Sequence, residues 1–503
     1  MSFIPAKNAF SRVFLIERRA RADRDPAYHS SLIAGTVEQS FGDLEKIEVP
    51  DPDAYGEFQE IGTIRGGEER ATTSLTGRYA ADLASTLLRL AKIKCASDIQ
   101  IHFGACQNPN EFNQFSKAII LEDASLTSVS TDELGTLESG GQAAVNETAE
   151  ISAKNWYEVL PLKFSERAGS LVANEVVDVI ISDSVGCGEC TNESDGCQRV
   201  FAITLTAHGS PGTPADLLYS PDAGVTWYAT NIDPLTTGSD PTGVAKIGDY
   251  VTVVSNALES LYYVDVDDLA VLVSGSGDPT FVAVATGFVA SSGPNDIWSV
   301  GSYAFIVGDL GYVYGTADPT AGVSVLDAGV ATSENLNAVH ALSSTWAVAG
   351  GANGAFIYTL DGASWTSVAT APASDGINAV WMRGEREFWA GTDAGQLFYT
   401  IDQGASWTEK TFSGSGTGVV HDFAFATDSV VYLSHATTGP AGRLLRSYNA
   451  GSSFRVLPEG VGSLAANDRL TALTVCKNDP NLLVAVGLSD LSADGIIIRG
   501  AKN

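Results

Sequence analysis

Positive charge is almost missing from the middle of this chain. Between Arg199 and Arg383 there is no arginine, and Lys246 is the only lysine, within a sequence whose formal net charge is −31. Such a surface cannot neutralise phosphates, which argues against sequence-specific nucleic-acid binding by that stretch. It reads as a solvated acidic exterior that keeps the protein soluble. Methionine is scarce at 2 residues while glycine reaches 51, a balance that favours short strands and turns over helical bundles. No apolar run approaches the roughly 18 residues that span a membrane. The opening MSFIPAKNAFSRVFLIERRARADRD lacks a cleavable apolar core. Residues 1–27 therefore read as an extended arm, basic through Arg18, Arg19, Arg21 and Arg24, and not as a signal peptide; a disordered tail is the bland alternative.

Six cysteines are too few for a disulfide scaffold. Cys187, Cys190 and Cys197 cluster in GCGECTNESDGC, where a disulfide staple and free thiols both remain open. Zinc needs four ligands, and the nearest histidine, His208, lies beyond the motif. Cys95 and Cys106 flank an apolar strand and read as packing first, with pairing as the weaker alternative. Asp265, Asp267 and Asp268 in VDVDDL are a weak calcium candidate, opposed by the lack of a glycine at the sharp turn of an EF-hand loop.

Length alone, at 503 residues, suggests two domains. The second of them repeats itself. LLYSPDAGVTWYAT holds Ser220, Asp222, Gly224, Thr226 and Trp227. LFYTIDQGASWTEK repeats the pattern with Thr400, Asp402, Gly404, Ser406 and Trp407, and FIYTLDGASWTSV repeats it one residue shorter with Thr359, Asp361, Gly362, Ser364 and Trp365. A worn copy has Ser447, Asn449, Gly451, Ser453 and Phe454, and a fainter one surrounds Asp318 and Gly322. The acid or amide accepts turn N–H groups, glycine supplies a left-handed backbone, and tryptophan returns into the sheet as a wedge. These residues resemble the Asp-box, or BNR repeat, which in its families joins the third and fourth strands of a propeller blade. Strand quartets beginning VVDVIIS, GVAKIG, DIWSVGS, LNAVHALS, INAVWMRG, VVHDFAFA and LTALTVC predict a seven-bladed β-propeller over residues 155–503.

Sialidases carry the same turns, but their chemistry draws arginines from successive blades. Blades two, three and four contain none, so the sequence predicts no catalytic residues, no metal and no cofactor, with structural turns instead. Glu385 and Glu387, alternating with Arg383 and Arg386, read as a solvated ion network across a turn.

Residues 28–154 form the first domain, mainly β, with strands predicted at EFQEIGTIRGG, RATTSLTG, DIQIHFG, KAIILEDASLTSVST and AAVNETAEISA. One helix is expected, with Leu83, Leu87, Leu90 and Ala91 on a face, Leu88 beside it, and Ser74 or Thr76 as cap. That combination predicts an α+β barrel or sandwich. The strings YGEFQEIGTI, TTSLTGRY, HFGACQNP and EDASLT over about 28–165 resemble the major tail (tail tube) protein of long-tailed double-stranded DNA bacteriophages. The resemblance implies a structural virion protein of the tail, assembled in the host cytoplasm. Its homohexameric rings would stack around the tape-measure protein and genomic DNA, without sequence-specific contacts and with no membrane. The propeller would be an exterior decoration or binding module, with a host-surface ligand as one partner. Asp51, Asp53, Glu57, Glu60, Glu68 and Glu69 are then candidates for the lumen, with solvated loops as the plainer reading. The competing readings are an adhesin or protein- or glycan-binding propeller, an assembly factor and, last, a sialidase-like enzyme.

The final blade lacks a fourth strand. Tyr157–Pro161, YEVLP, resembles FRVLP at Phe454–Pro458, so Trp156–Leu162 is expected to pair beside Ile496–Ile498 and close the ring.

Overall fold

The computed structural model describes residues 240–436 without a break, with 216–233, 235, 442–457, 468–476, 479–489 and 494–501 around them. Toward the start it describes the strands named below and residues 160, 162, 174–182 and 199–205. The chain divides into two compact units, Met1–Pro161 and Leu162–Asn503. The sequence places that boundary at 154/155.

The difference is one strand. Asn155–Val159 pairs antiparallel with Lys117–Thr131, Tyr157 facing Ile120, and so belongs to the first unit. That unit has a two-stranded sheet, Lys46–Pro50 paired with Glu60–Arg65, and an eight-stranded sheet. Its order runs Tyr28–Leu32, Ser11–Ile16, Ser97–Phe103, Lys117–Thr131, Asn146–Ala153, Ala71–Arg78, Val37–Ser40, with Asn155–Val159 as a second neighbour of Lys117–Thr131. The alternating run KAIILEDASLTSVST is one 15-residue strand, as its pattern predicts. Ser11–Ile16 sits between two strands, which corrects the reading of residues 1–27 as an arm throughout. Ser74 and Thr76 lie within the strand Ala71–Arg78, so neither caps a helix there. The expected helix and Arg18, Arg19, Arg21 and Arg24 fall outside the described residues. So do the side chains of Asp51, Asp53, Glu57, Glu60, Glu68 and Glu69.

The second unit is a β-propeller of seven four-stranded antiparallel sheets. The innermost strands of blades one to seven are Val176–Ile181, Pro241–Ile247, Pro294–Val300, Leu336–Ala341, Ile377–Met382, Val419–Phe425 and Arg469–Cys476. Each neighbours the next, and the seventh neighbours the first, so the sheets form a closed ring. Alternation explains the packing: Val179, Val244, Ile297, Val339, Val380, Phe423 and Leu473 hold equivalent positions and all are buried. The apolar clusters lie between adjacent blades. One joins Val176, Val179 and Trp227 of blade one to Val484, Val486 and Ile497 of blade seven.

Closure does come from the propeller's first segment, but from a later strand than the sequence suggests. Lys163–Arg167 pairs with the last strand, Gly495–Ala501, with Ser165 facing Arg499. The likeness of YEVLP to FRVLP misplaced the partner by one strand. Phe164 is the residue that matters: its ring lies where a Cβ on Gly500 would come within 2.6 Å.

Candidate functional site

The repeated turns are built from short-range hydrogen bonds. In blade one, Ser220 Oγ donates to Asp222 Oδ1 (2.9 Å) and accepts from Gly224 N (2.9 Å), while Asp222 accepts from Thr226 N (2.8 Å) and Thr226 Oγ1 (2.6 Å). In blade five, Thr400 Oγ1 donates to Asp402 and accepts from Gly404 N, and Asp402 accepts from Ser406 N and Oγ. Thr359, Asp361, Gly362 and Ser364 repeat this in blade four, and Ser447, Asn449, Gly451 and Ser453 in blade six. Blade three's faint copy keeps less: Asp318 accepts from Thr320 N and Oγ1, and its own N donates to Thr316 Oγ1. The glycines of the four fuller copies stand at φ of 77° to 81°, where a side chain would be strained. Hydrogen bonds from Ser364 and Ala363 hold the Asp361 carboxyl below its ordinary range. Burial would raise those of Asp222 and Asp402, but the bonds from Thr226 and Ser406 outweigh it and hold both low.

Three of the four turns pack their glycine on the preceding blade, while Gly362 packs on Ser344 of its own. Gly224 packs on Val484 and Arg499 of blade seven, Gly404 on Val368 of blade four, and Gly451 on Trp389 of blade five. Trp227 joins blade seven's core, Trp365 meets Phe305 of blade three, and Trp407 meets Phe356 of blade four. Such turns hold neighbouring blades together, and substitutions should show it. Asn449 is buried, so Asn449→Ala leaves the Ser453 amide and Ser447 hydroxyl without their acceptor and is expected to destabilise by about 1–3 kcal/mol. Asp402→Ala exposes its amides to water and should cost about 1 kcal/mol. Urea denaturation of both variants measures the difference; an equal or reversed order contradicts this account.

A second set of residues lies at the ring's inner edge. Each innermost strand bulges near its start, the register slipping at Val176/Asp178, Pro241/Gly243, Pro294/Asp296, Leu336/Ala338, Ile377/Ala379, Val420/Asp422 and Leu470/Ala472. The bulged residue reaches the next blade. Thr242 Oγ1 donates to Pro294 O (2.8 Å), Asn295 Nδ2 to Leu336 O (2.9 Å) and Asn337 Nδ2 to Ile377 O (3.2 Å). Asn378 Nδ2 donates to Val420 O (3.4 Å), and Thr471 Oγ1 to Val176 O (2.6 Å). The two remaining seams have Val177 and His421 at that position, and there the following residue takes over. Asp178 Oδ2 accepts from Val244 N and Asp422 Oδ2 from Leu473 N, both at 2.8 Å. Asp296 adds the same bond to Val339 N. The other oxygen of each acid accepts from the next amide of its own strand, Val179, Ile297 or Phe423, at 2.7 Å.

These three carboxyls are enclosed by protein yet keep partial access to water. Burial pushes Asp178 up to about 6 and Asp422 up to about 7, with the amides pulling both partway back. Asp296 is raised well above the carboxylate range, first by burial and then by Asp178. Two residues past the bulges, His340 stacks on Trp381 of the next blade (3.9 Å between centroids) and lies 4.5 Å from Trp298 of the previous one. Its Nδ1 accepts from Met382 N.

Arg383 and Glu387 correct the reading of a solvated network. Their side chains are 10% and 7% exposed and pair at 2.8 Å; Arg383 lies 4.7 Å over the Phe425 ring, and Glu387 accepts from Trp389 Nε1. Glu385 and Arg386 contribute backbone carbonyls to Gln403. Cys187, Cys190 and Cys197 fall outside the described residues, whereas Cys476 is buried and disulfide-bonded. Asp265 accepts from Asp267 N at the start of a 3₁₀ turn.

No family model matches this chain, and no curated protein does. Solved structures do. YCF48 bound to D1 peptide is 14% identical with a TM-score of 0.49, covering 69% of this chain and 96% of its own. The WD40 repeats of RRP9 are 11% identical at a TM-score of 0.48, covering 67% and 97%. A catalytically inactive virginiamycin B lyase from Staphylococcus aureus with quinupristin is 11% identical at 0.46, covering 68% and 100%.

Proposed function

We propose that this chain is a non-catalytic binding protein, whose propeller offers its loops to a protein partner while the N-terminal β unit carries it. The carrying observation is the use made of the inner acids. Asp178, Asp296 and Asp422 are the groups best placed for acid–base chemistry, and every one has one oxygen accepting an amide of the next blade and the other an amide of its own strand. An acid so engaged stiffens the ring and holds no substrate proton. The Asp-box-like turns are likewise occupied with the preceding blade. That leaves the connecting loops as the surface free for recognition. The full-length chain, screened on peptide and glycan arrays, tests this: peptide binding without turnover is expected, and glycan-only binding sinks the protein-partner reading in favour of an adhesin.

A second reading is a virion structural protein that builds a tail tube from stacked hexameric rings. Two things support it: the resemblance over about 28–165, and the two ends of the N-terminal sheet. There, Tyr28–Leu32 and Val37–Ser40 each have one strand neighbour among the described residues. Sheet edges of this kind pair readily with another copy. Negative-stain microscopy of the full chain is expected to show rings or tubes, and a monomer at high concentration counts against it.

A further inference from the structure

Among the described residues, seven non-glycine residues have a left-handed backbone. Ala223, Gln403 and Ala450 belong to the repeated turns. The other four, Glu259, Ser291, Leu310 and Asn353, lie on one rim, where blades two, three and four begin their innermost strands. A continuous chain of hydrogen bonds ties that rim together. Ser291 N donates to Glu259, Asp309 N to Gly293 O (3.0 Å), Leu310 N to Asn335 Oδ1 (2.9 Å), Ala352 N to Asn335 O (2.8 Å) and Asn353 Nδ2 to Glu334 (2.7 Å).

Leu310 is the anomaly. Asn353 holds the equivalent place in blade four, and asparagine tolerates φ near +55°; leucine does not. Its side chain is nevertheless 49% exposed, so the strain is not compensated by burial. Val330 stands beside it at 88% exposure, since the backbone of Gly329 lies against the Leu310 carbonyl. That exposure is imposed: Asp327 accepts from both Val330 N (2.6 Å) and Ala331 N (3.1 Å). Leu258 and Val289 extend the apolar strip along the same loops. Strain kept at an exposed, rigid apolar position marks a recognition surface.

Charge selects the partner. Residues 200–382 hold 17 acids and one base, Lys246, which donates to Gly248 O in the hairpin at the opposite end of its blade. Glu259 and Glu334 border the strip itself. We propose that Leu310, Val330, Leu258 and Val289, bordered by Glu259 and Glu334, dock a positively charged aliphatic peptide segment of a partner protein. This rests on the binding-protein reading and gives it a surface and a ligand class.

The test is a library of ten-residue peptides, each with two aliphatic positions and otherwise basic, neutral or acidic, presented to the full-length chain and to Leu310→Asn and Val330→Glu. The chain should enrich basic peptides, with binding weakened by added salt and at least about tenfold weaker in either variant. Leu310→Asn should keep or raise the melting temperature, because asparagine suits that backbone, so lost binding cannot be ascribed to unfolding. Enrichment of acidic peptides, or basic peptides bound equally by the variants, overturns this surface while the binding-protein reading stands. If the unaltered chain binds no peptide, both fall together.

Discussion

Ile497→Asp is expected to remove the cooperative unfolding transition of the propeller at room temperature, or to lower its stability by about 4 kcal/mol or more. Ile497 is 1% exposed and packs with Val176, Val179 and Trp227 across the seam where the ring closes. A carboxylate there has no cation or donor prepared for it, and an unpaired buried charge is among the costliest single changes. The same strand pairs on its other side with Lys163–Arg167, so its loss frees both the first and the last segments of the propeller. Phe164→Ala, which uncovers Gly500 from the outside, should cost about 3 kcal/mol. Denaturant melts followed by tryptophan fluorescence measure both. An unchanged midpoint in Ile497→Asp would mean that the ring does not close through this seam.

Mild acid should stabilise the protein. The carboxyls of Asp178 and Asp422 titrate near 6 and 7 when folded, against about 3.8 unfolded, and burial raises Asp296 as well. The folded state therefore holds more protons between about pH 4 and pH 7. Stability from these groups is full below about pH 4 and is lost as pH rises through their folded values. Displacements of that size would correspond to several kcal/mol, but partial water access reduces this, and about 2–4 kcal/mol between pH 5 and pH 8 is expected. Asp222, Asp361 and Asp402 move oppositely, their contribution disappearing only in stronger acid. Melting temperatures in a pH series should thus peak near pH 5. Asp422→Asn keeps one acceptor and loses the titration: it should be less stable than the parent at pH 5, with the gap shrinking by pH 8. A gap independent of pH would remove Asp422 from this role.

The propeller was legible because its signals are local. Alternation located all seven innermost strands, and the spacing of Asp222, Asp361, Asp402 and Asn449 located the outer turns. What escaped depends on residues far apart in sequence. The Arg383–Glu387 pair is buried because Phe425, on the next blade, covers it; RGEREF alone reads as a solvated turn. The seam acids did leave a trace, an aspartate in the otherwise apolar VVDVII and DIW and in the FAF-bearing strand of blade six. An acid in such a run has to be hydrogen-bonded, but its acceptor role toward the next blade appears only in three dimensions. The closing strand was misplaced because similarity between YEVLP and FRVLP outweighed the plainer alternation of KFSER.

The way the ring closes also sets how it responds to force. Lys163 faces Ala501 and Arg167 faces Ile497, so the segment entering the propeller and the segment leaving it meet at the same end of one antiparallel pair. Tension between those two segments would open that pair bond by bond, like a zipper, at modest load. Tension entering at Lys163 and leaving through a ligand on the loops meets that same pair first, because Gly495–Ala501 is the sheet neighbour of Lys163–Arg167. A load on the segment entering the propeller and a load on its C-terminal strand would therefore both test the closing pair before any seam between blades.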